Sequence, residues 1–299
     1  LSLLDIDPAL LPASFEGPEV TGTLTAGAAA QTGLPAGIPV VAGGGDQAAN
    51  GVGCGIVRKG VVSASLGTSG VLFAFADTVS TDPEGRVHTF CHSVPGCWHT
   101  MGVVLSAAGS LQWFRNQLWT NEWVRAKAEG REVYEEITTA AGTAPAGSEG
   151  LLFLPYLTGE RTPHKDPFAR AAFIGLSLRH TRAHMARAVL EGVAYAMNDS
   201  TEIMRGMGVA VDEVRCSGGG ARSALWRQIM ADVNAAPMVT INVDEGPAYG
   251  AAILASVATG MHARVDAACD AIIREVDRVS PDPAASAGYG RWFREYQAA

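Results

Sequence analysis

The chain has 299 residues, 47% of them hydrophobic and 35 of them glycine, a size and balance that suit one large or two ordinary loop-rich α/β domains. Its formal charge of −8 excludes a general attraction to nucleic acid or to an anionic membrane surface, since both demand a basic face. Five scattered cysteines without a Cys-x-x-Cys pair indicate neither a disulfide framework nor a zinc site and point to a reducing cytoplasm.

No run of about 18 apolar residues occurs, and the N-terminus lacks the basic-then-apolar pattern of a secretory signal. The chain opens on Leu1, and the stretch from Asp5 to Val20 reads as loop and turn entering an established structure, which predicts a truncated or processed polypeptide. Residues 38–42 read as a short buried strand running into Gly43-Gly44-Gly45, with Asp46 opening a helix of small residues. The apolar runs 61–66 and 71–75 flank Gly67-Thr68-Ser69-Gly70, a hairpin signal with a glycine-framed turn. A strand over 99–105 is followed by a helix through Trp113 and Leu118, then by a charged helix over 122–140 with a solvated polar face. Strands over 151–157 and 171–176 flank a polar loop, and 181–207 has the apolar spacing of a long helix. Residues 214–216 form a short strand entering the glycine run 217–223. A helix over 224–235, a strand over 238–243, a helix over 248–259 and a terminal helix over 284–299 complete the chain. Repeated strand, glycine loop and helix predict a sheet with helices packed on its faces and ligands at its strand ends.

Those loops hold the candidate chemistry. Asp46 presents a carboxylate at a helix N-terminus behind three glycines, where a ligand can approach the backbone; an ordinary N-cap would look the same. The turn Gly67-Thr68-Ser69-Gly70 offers backbone amides and two hydroxyls that can hold phosphate oxygens, or it is simply a turn. The run Ser217-Gly218-Gly219-Gly220-Ala221-Arg222-Ser223 suits a nucleotide at a helix N-terminus, or a tight connection. It has neither the Gly-Lys-Ser/Thr ending of a P-loop nor the GxGxxG order of a dinucleotide fold. His88, His92, His99, Cys91 and Cys97 are metal-ligand types in a spacing that fits no zinc pattern, so packing and hydrogen bonding explain them better. No Gly-x-Ser-x-Gly elbow supports a hydrolase.

Taken in order, Gly43-Gly44-Gly45-Asp46-Gln47-Ala48-Ala49, Ser65-Leu66-Gly67-Thr68-Ser69-Gly70 and the 217–223 run resemble the landmarks of the FGGY carbohydrate kinases. Ala171-Ala172-Phe173-Ile174-Gly175-Leu176, followed by His184-Met185-Ala186-Arg187-Ala188-Val189-Leu190-Glu191, is similar to the family's C-terminal signature. Leu154 to His164 and Gly218 to Gln228 resemble the xylulokinase branch rather than the glycerol kinases. The resemblance implies an α/β protein of the actin-like, hexokinase-like (ribonuclease H-like) ATPase fold. Residues 1–55 would be the tail of the first domain, carrying the catalytic base, and 56–299 the nucleotide-binding second domain. The Asp-x-Gly-Thr phosphate loop and most sugar contacts of full-length members are not in this sequence.

Residue by residue, the resemblance makes Asp46 the catalytic base and a sugar contact, with Gln47 beside it on the sugar. Gly67, Thr68 and Ser69 would meet the nucleotide phosphates, and Gly175, Gly219, Gly220 and Ala221 the nucleotide, the last three at the adenosine. Ala224 stands where glycerol kinases place an amide side chain, so that adenine contact is missing. The implied reaction uses ATP and Mg²⁺ to phosphorylate D-xylulose at O5, with the metal's ligand in the absent domain and this chain inactive alone. The alternatives are a kinase for another sugar or polyol of the family, or a non-catalytic nucleotide-binding or assembly fragment. The partners are a sugar and ATP, with no nucleic acid and no membrane. An exposed apolar surface where the first domain would pack predicts self-association, which leaves a homodimer open.

Overall fold

A computed structural model describes residues 1–243 and 246–299. Two 3₁₀ turns (Ser2–Leu4 and Pro8–Leu10) precede β1 (Val20–Thr23), α1 (Ala26–Thr32), β2 (Pro39–Val41) and α2 (Asp46–Gly53). The hairpin β3 (Gly60–Leu66) and β4 (Gly70–Ala76) is followed by β5 (His88–Cys91), β6 (Trp98–Val104), α3 (Ala108–Leu118), α4 (Thr120–Ala128) and α5 (Val133–Gly142). Next come β7 (Leu152–Leu154), β8 (Ala172–Ile174), α6 (Arg182–Gly206), β9 (Val211–Ser217), α7 (Ala224–Asn234) and β10 (Met238–Ile241). The chain closes with α8 (Gly246–Ala258), α9 (Val265–Ile272), β11 (Glu275–Val279) and α10 (Pro283–Ala298).

The central sheet has seven strands in the order β11-β10-β9-β3-β4-β6-β5. β9 is parallel to both β3 and β10, and the remaining pairs are antiparallel. Strand side chains alternate between faces. Val62, Ala64, Leu66, Leu72 and Ala74 join the main core with α3, α6 and α7, whereas Phe73 on the other face packs with Cys54 and Ile56. On that second face Gly51 of α2 lies against Phe73, and Val52 packs with Ile253 and Leu254 of α8 and Val265 and Ala268 of α9. The result is a mixed sheet sandwiched between two helical layers.

Helix α6 runs through the main core and is buried all round along residues 186–201, so the polar side chains it carries there need partners inside the protein. Its start is fixed by Thr181 and His184, whose side chains meet at 3.0 Å. Inside it, Arg187 donates to Glu191 at 2.8 Å, to the Ala144 carbonyl at 2.9 Å and to Tyr289 at 2.8 Å. Glu191 also accepts from the Gly147 amide at 2.9 Å and from Ser148 at 2.8 Å. This buried pair therefore ties α6 to α10 and to the loop that follows α5.

Several expectations are corrected. The strand at 38–42 shrinks to β2, which pairs only with β1 and is not buried: Val40 is 41% exposed. The helix at 122–140 is two helices, because Gly130 takes φ 67° and the Arg131 amide turns back to the Ala126 carbonyl at 2.8 Å. The strand at 151–157 stops at Leu154, before Pro155, which has no amide to donate to a ladder. β5, α9 and β11 were not anticipated; β11 is an exposed edge strand with the polar sequence Glu-Val-Asp-Arg-Val. In the N-terminal stretch Leu3, Leu4, Leu10, Leu11 and Phe15 stand exposed.

Candidate functional site

Because β3 and β9 are parallel neighbours, their C-terminal ends open on one edge of the sheet, where α/β folds place ligands. Gly67-Thr68-Ser69 leaves β3 there, and the Gly218 to Arg222 loop leaves β9. The two loops touch so closely that side chains are excluded. Gly218 has φ 83°, and a Cβ on it would lie 2.8 Å from the Leu66 carbonyl oxygen. A Cβ on Gly220 would lie 2.9 Å from both Leu66 Cβ and the Trp226 ring. With α3, α5 and the start of α7, these loops line a cavity of about 960 Å³.

The turn is held from behind. The amides of Ala107 and Gly109 donate to the Thr68 carbonyl at 2.9 and 3.1 Å, and that of Ala108 to the Gly67 carbonyl at 2.9 Å. The first amides of α3 are thereby satisfied by the turn's carbonyls. The turn's own amides, at Gly67, Thr68 and Ser69, have no hydrogen-bond partner among the described residues. Consecutive backbone N–H groups left open in this way make an anion-binding concavity. At the second loop, Ser223 caps α7 by accepting from the Trp226 amide at 3.2 Å, and Arg227 Nη1 donates to the Ala221 carbonyl at 2.6 Å.

Of the residues anticipated, Gly67, Thr68, Gly219 and Gly220 line the cavity. Ala221 is buried in the same loop without lining it, and Ser69 completes the turn outside it. Gly175 is elsewhere: it follows β8 with φ 93°, and a Cβ there would meet the Gly150 carbonyl at 2.8 Å. Asp46 is exposed and is not an N-cap, since Gly45 holds that position. It is the first residue of α2, and its Oδ1 accepts from the Gln47 amide at 2.8 Å. Neither Asp46 nor Gln47 lines the cavity.

Sequence reading missed Gly109 and Gln112 on α3 and one face of α5, and named Arg222 only as part of the 217–223 run. Glu135, Thr138, Thr139 and Gly142 share that face at helical spacing and wall the cavity, so part of a surface read as solvated belongs to the site. Arg222 is the single cationic side chain among the described lining residues.

No group of three metal-ligating side chains is present among the described residues. The histidines are occupied by packing. His92 Nε2 bonds the Ile56 carbonyl at 3.0 Å and His92 Nδ1 accepts from the Val94 amide at 3.1 Å, while His99 stacks on Phe73 at 4.3 Å. Burial depresses both imidazoles to about 4, so they are neutral at pH 7. No helix among the described residues is long and apolar enough to cross a membrane.

Sequence models of the FGGY family of carbohydrate kinases match residues 62–259 with the C-terminal domain and residues 1–53 with the N-terminal domain. The chain belongs to the FGGY carbohydrate kinase family. It is 43% identical to a xylulose kinase of Escherichia coli over 86% of this chain and 51% of that protein. A gluconokinase of Bacillus subtilis is 36% identical over 82% of this chain and 48% of its own length. A solved xylulose kinase structure from Rhodospirillum rubrum superposes with a TM-score of 0.88 at 36% identity, covering 99% of this chain and 58% of that one. The chain thus spans about half the length of the curated relatives it matches. Its two-sided helical packing on a large mixed sheet is the actin-like, hexokinase-like fold of these FGGY kinases.

Proposed function

We propose that this chain forms the nucleotide-binding part of an ATP-dependent sugar kinase that phosphorylates D-xylulose at O5, with residues 1–55 belonging to a first domain and 56–299 to a second. The observation that carries the reading is the cavity at the ends of β3 and β9, where the amides of the 67–69 turn have no partner among the described residues and the second glycine loop leaves room for a nucleotide. The names of the xylulose kinase relatives support the sugar; a gluconokinase at comparable identity makes gluconate the rival substrate.

In this reading the turn amides and Thr68 hold the nucleotide phosphates, and Gly219 and Gly220 let the adenosine lie against the backbone between α5 and α7. Asp46 accepts the proton of the attacking sugar hydroxyl as the new O–P bond forms and the bond from the γ-phosphorus to the bridging oxygen breaks, releasing ADP. Its place at the start of α2 suits a carboxylate, because the helix dipole favours negative charge there. Gln47 holds the sugar beside it. Phosphoryl transfer depends chiefly on positioning and charge stabilisation, which such donors supply. The described residues offer no carboxylate cluster for Mg²⁺, so no step is assigned to a protein-held ion.

The test is ADP release from Mg-ATP with D-xylulose, D-gluconate or glycerol, using this chain extended to the full length of its relatives, with and without Asp46→Asn. Xylulose-dependent release that Asp46→Asn abolishes supports the reading. A response to gluconate alone replaces the substrate, and no sugar-dependent release from any substrate ends it.

A further inference from the structure

We propose that Glu160 is a positioning residue for the phosphate-holding turn, acting through the junction between β6 and α3. The inference rests on the reading of the cavity as a nucleotide site.

Glu160 sits in the loop between β7 and β8, is only 2% exposed, and makes no hydrogen bond to the cavity lining among the described residues. Its Oε1 accepts from the Leu105 amide at 2.9 Å and from the Arg161 amide at 2.7 Å. Its neighbours in the loop reinforce the same contact. Thr158 Oγ1 meets Ser106 Oγ at 3.2 Å, and Thr162 exchanges two bonds with Val103, accepting from its amide and donating to its carbonyl, both at 3.1 Å. The loop is therefore laid along the end of β6 and grips residues 103, 105 and 106 in turn.

The next three residues, Ala107, Ala108 and Gly109, are those whose amides hold the carbonyls of Gly67 and Thr68. No slack separates the two grips. A Cβ on Gly109 would lie 2.9 Å from the Thr68 carbonyl oxygen, and one on Gly70 would lie 3.0 Å from Ala107 Cβ. A shift at Leu105 must consequently reach the turn, and the orientation of the amides at 67–69 follows that of the carbonyls they alternate with.

A plain packing role does not account for this side chain. Oε2 is buried without a partner among the described residues, and burial pushes the carboxyl up to about 7, a cost that an apolar residue would avoid. An apolar residue would, however, leave the Leu105 and Arg161 amides unpaired. Glutamine would not, because its single carbonyl oxygen can accept both.

The experiment is calorimetric titration of this chain with ADP and separately with adenosine, for wild type, Glu160→Gln and Glu160→Met. ADP uses the turn and adenosine does not. Glu160→Met is expected to weaken ADP by ~10-fold while adenosine stays within ~2-fold, and Glu160→Gln is expected to restore ADP binding to within ~2-fold of wild type. Unchanged ADP affinity in Glu160→Met, or equal losses for ADP and adenosine, overturns the positioning role alone. Failure of the wild type to bind either ligand overturns the nucleotide-site reading and this inference with it. Should Glu160→Met not fold, Thr158→Val, which cuts only the link to Ser106, is expected to show the same selective loss at about 3-fold; equal affinities there overturn the role.

Discussion

Replacing Gly218 by alanine tests the close approach of the two glycine loops. The added methyl meets two penalties. At φ 83° an L-residue is strained, at about 1–3 kcal/mol. The Cβ would also stand 2.8 Å from the Leu66 carbonyl carbon and oxygen and 3.1 Å from the Gly67 amide nitrogen, all backbone atoms that cannot rotate away. Overpacking of this kind costs a further ~1–3 kcal/mol. For a chain of this size a loss of about 2–6 kcal/mol lowers the melting temperature by roughly 3–10 °C. Gly219→Ala is the internal control, because a Cβ there meets nothing within 4 Å and its φ is not positive. Differential scanning fluorimetry of both variants decides the matter. A melting temperature for Gly218→Ala within about 1 °C of wild type, or an equal fall in Gly219→Ala, would refute the steric argument.

Three further outcomes follow from the same structure. Arg187→Met strands the buried Glu191 carboxylate and is expected to cost ~3–5 kcal/mol in chemical denaturation, with part recovered in the double variant Arg187→Met/Glu191→Leu; a single-variant loss below about 1 kcal/mol contradicts the account. Glu160 has a raised folded pKa of about 7, so the stability it contributes is full below its unfolded value and is lost as pH rises through 7. The advantage of Glu160→Gln over wild type should therefore grow by about 2 kcal/mol between pH 5 and pH 8, and a constant difference would argue against a titrating Glu160. His92, depressed to about 4, titrates in both proteins: its contribution is lost as pH falls from its unfolded value through 4, and it cancels in that comparison. Thr68→Val should weaken ADP binding by about 10-fold or more if the hydroxyl bonds a phosphate oxygen, and unchanged affinity would remove that contact.

How much was legible in the sequence depends on what each residue type must do. The loop at 218–220 could be read because close approaches at Gly218 and Gly220 demand glycine, and the turn at 67–69 because glycine framed by apolar runs is a local signal. The α5 wall of the cavity was not legible. Glu135 and Thr139 on a charged helix look solvated until α7 is packed opposite, and which helix faces which loop is a tertiary fact. Likewise Glu160 was visible only as part of the Leu154 to His164 resemblance, with no role of its own, because a glutamate in a polar loop is ordinary until the loop is folded against β6. The three glycines before Asp46 were visible, but not that Gly44 passes over the Ser93 side chain. Gly175 was read from its family-like setting, but not its place after β8 outside the cavity, where its positive φ and the close Gly150 carbonyl demand glycine.

The most direct test of the nucleotide site is an amide correlation spectrum of the ¹⁵N-glycine-labelled chain, recorded as ADP is added. The account predicts that Gly67, Gly218, Gly219 and Gly220 shift together in a saturable manner while Gly175 stays in place. Saturable shifts at Gly175 with none at Gly67 and Gly219, or no saturable shift at any glycine, would contradict it.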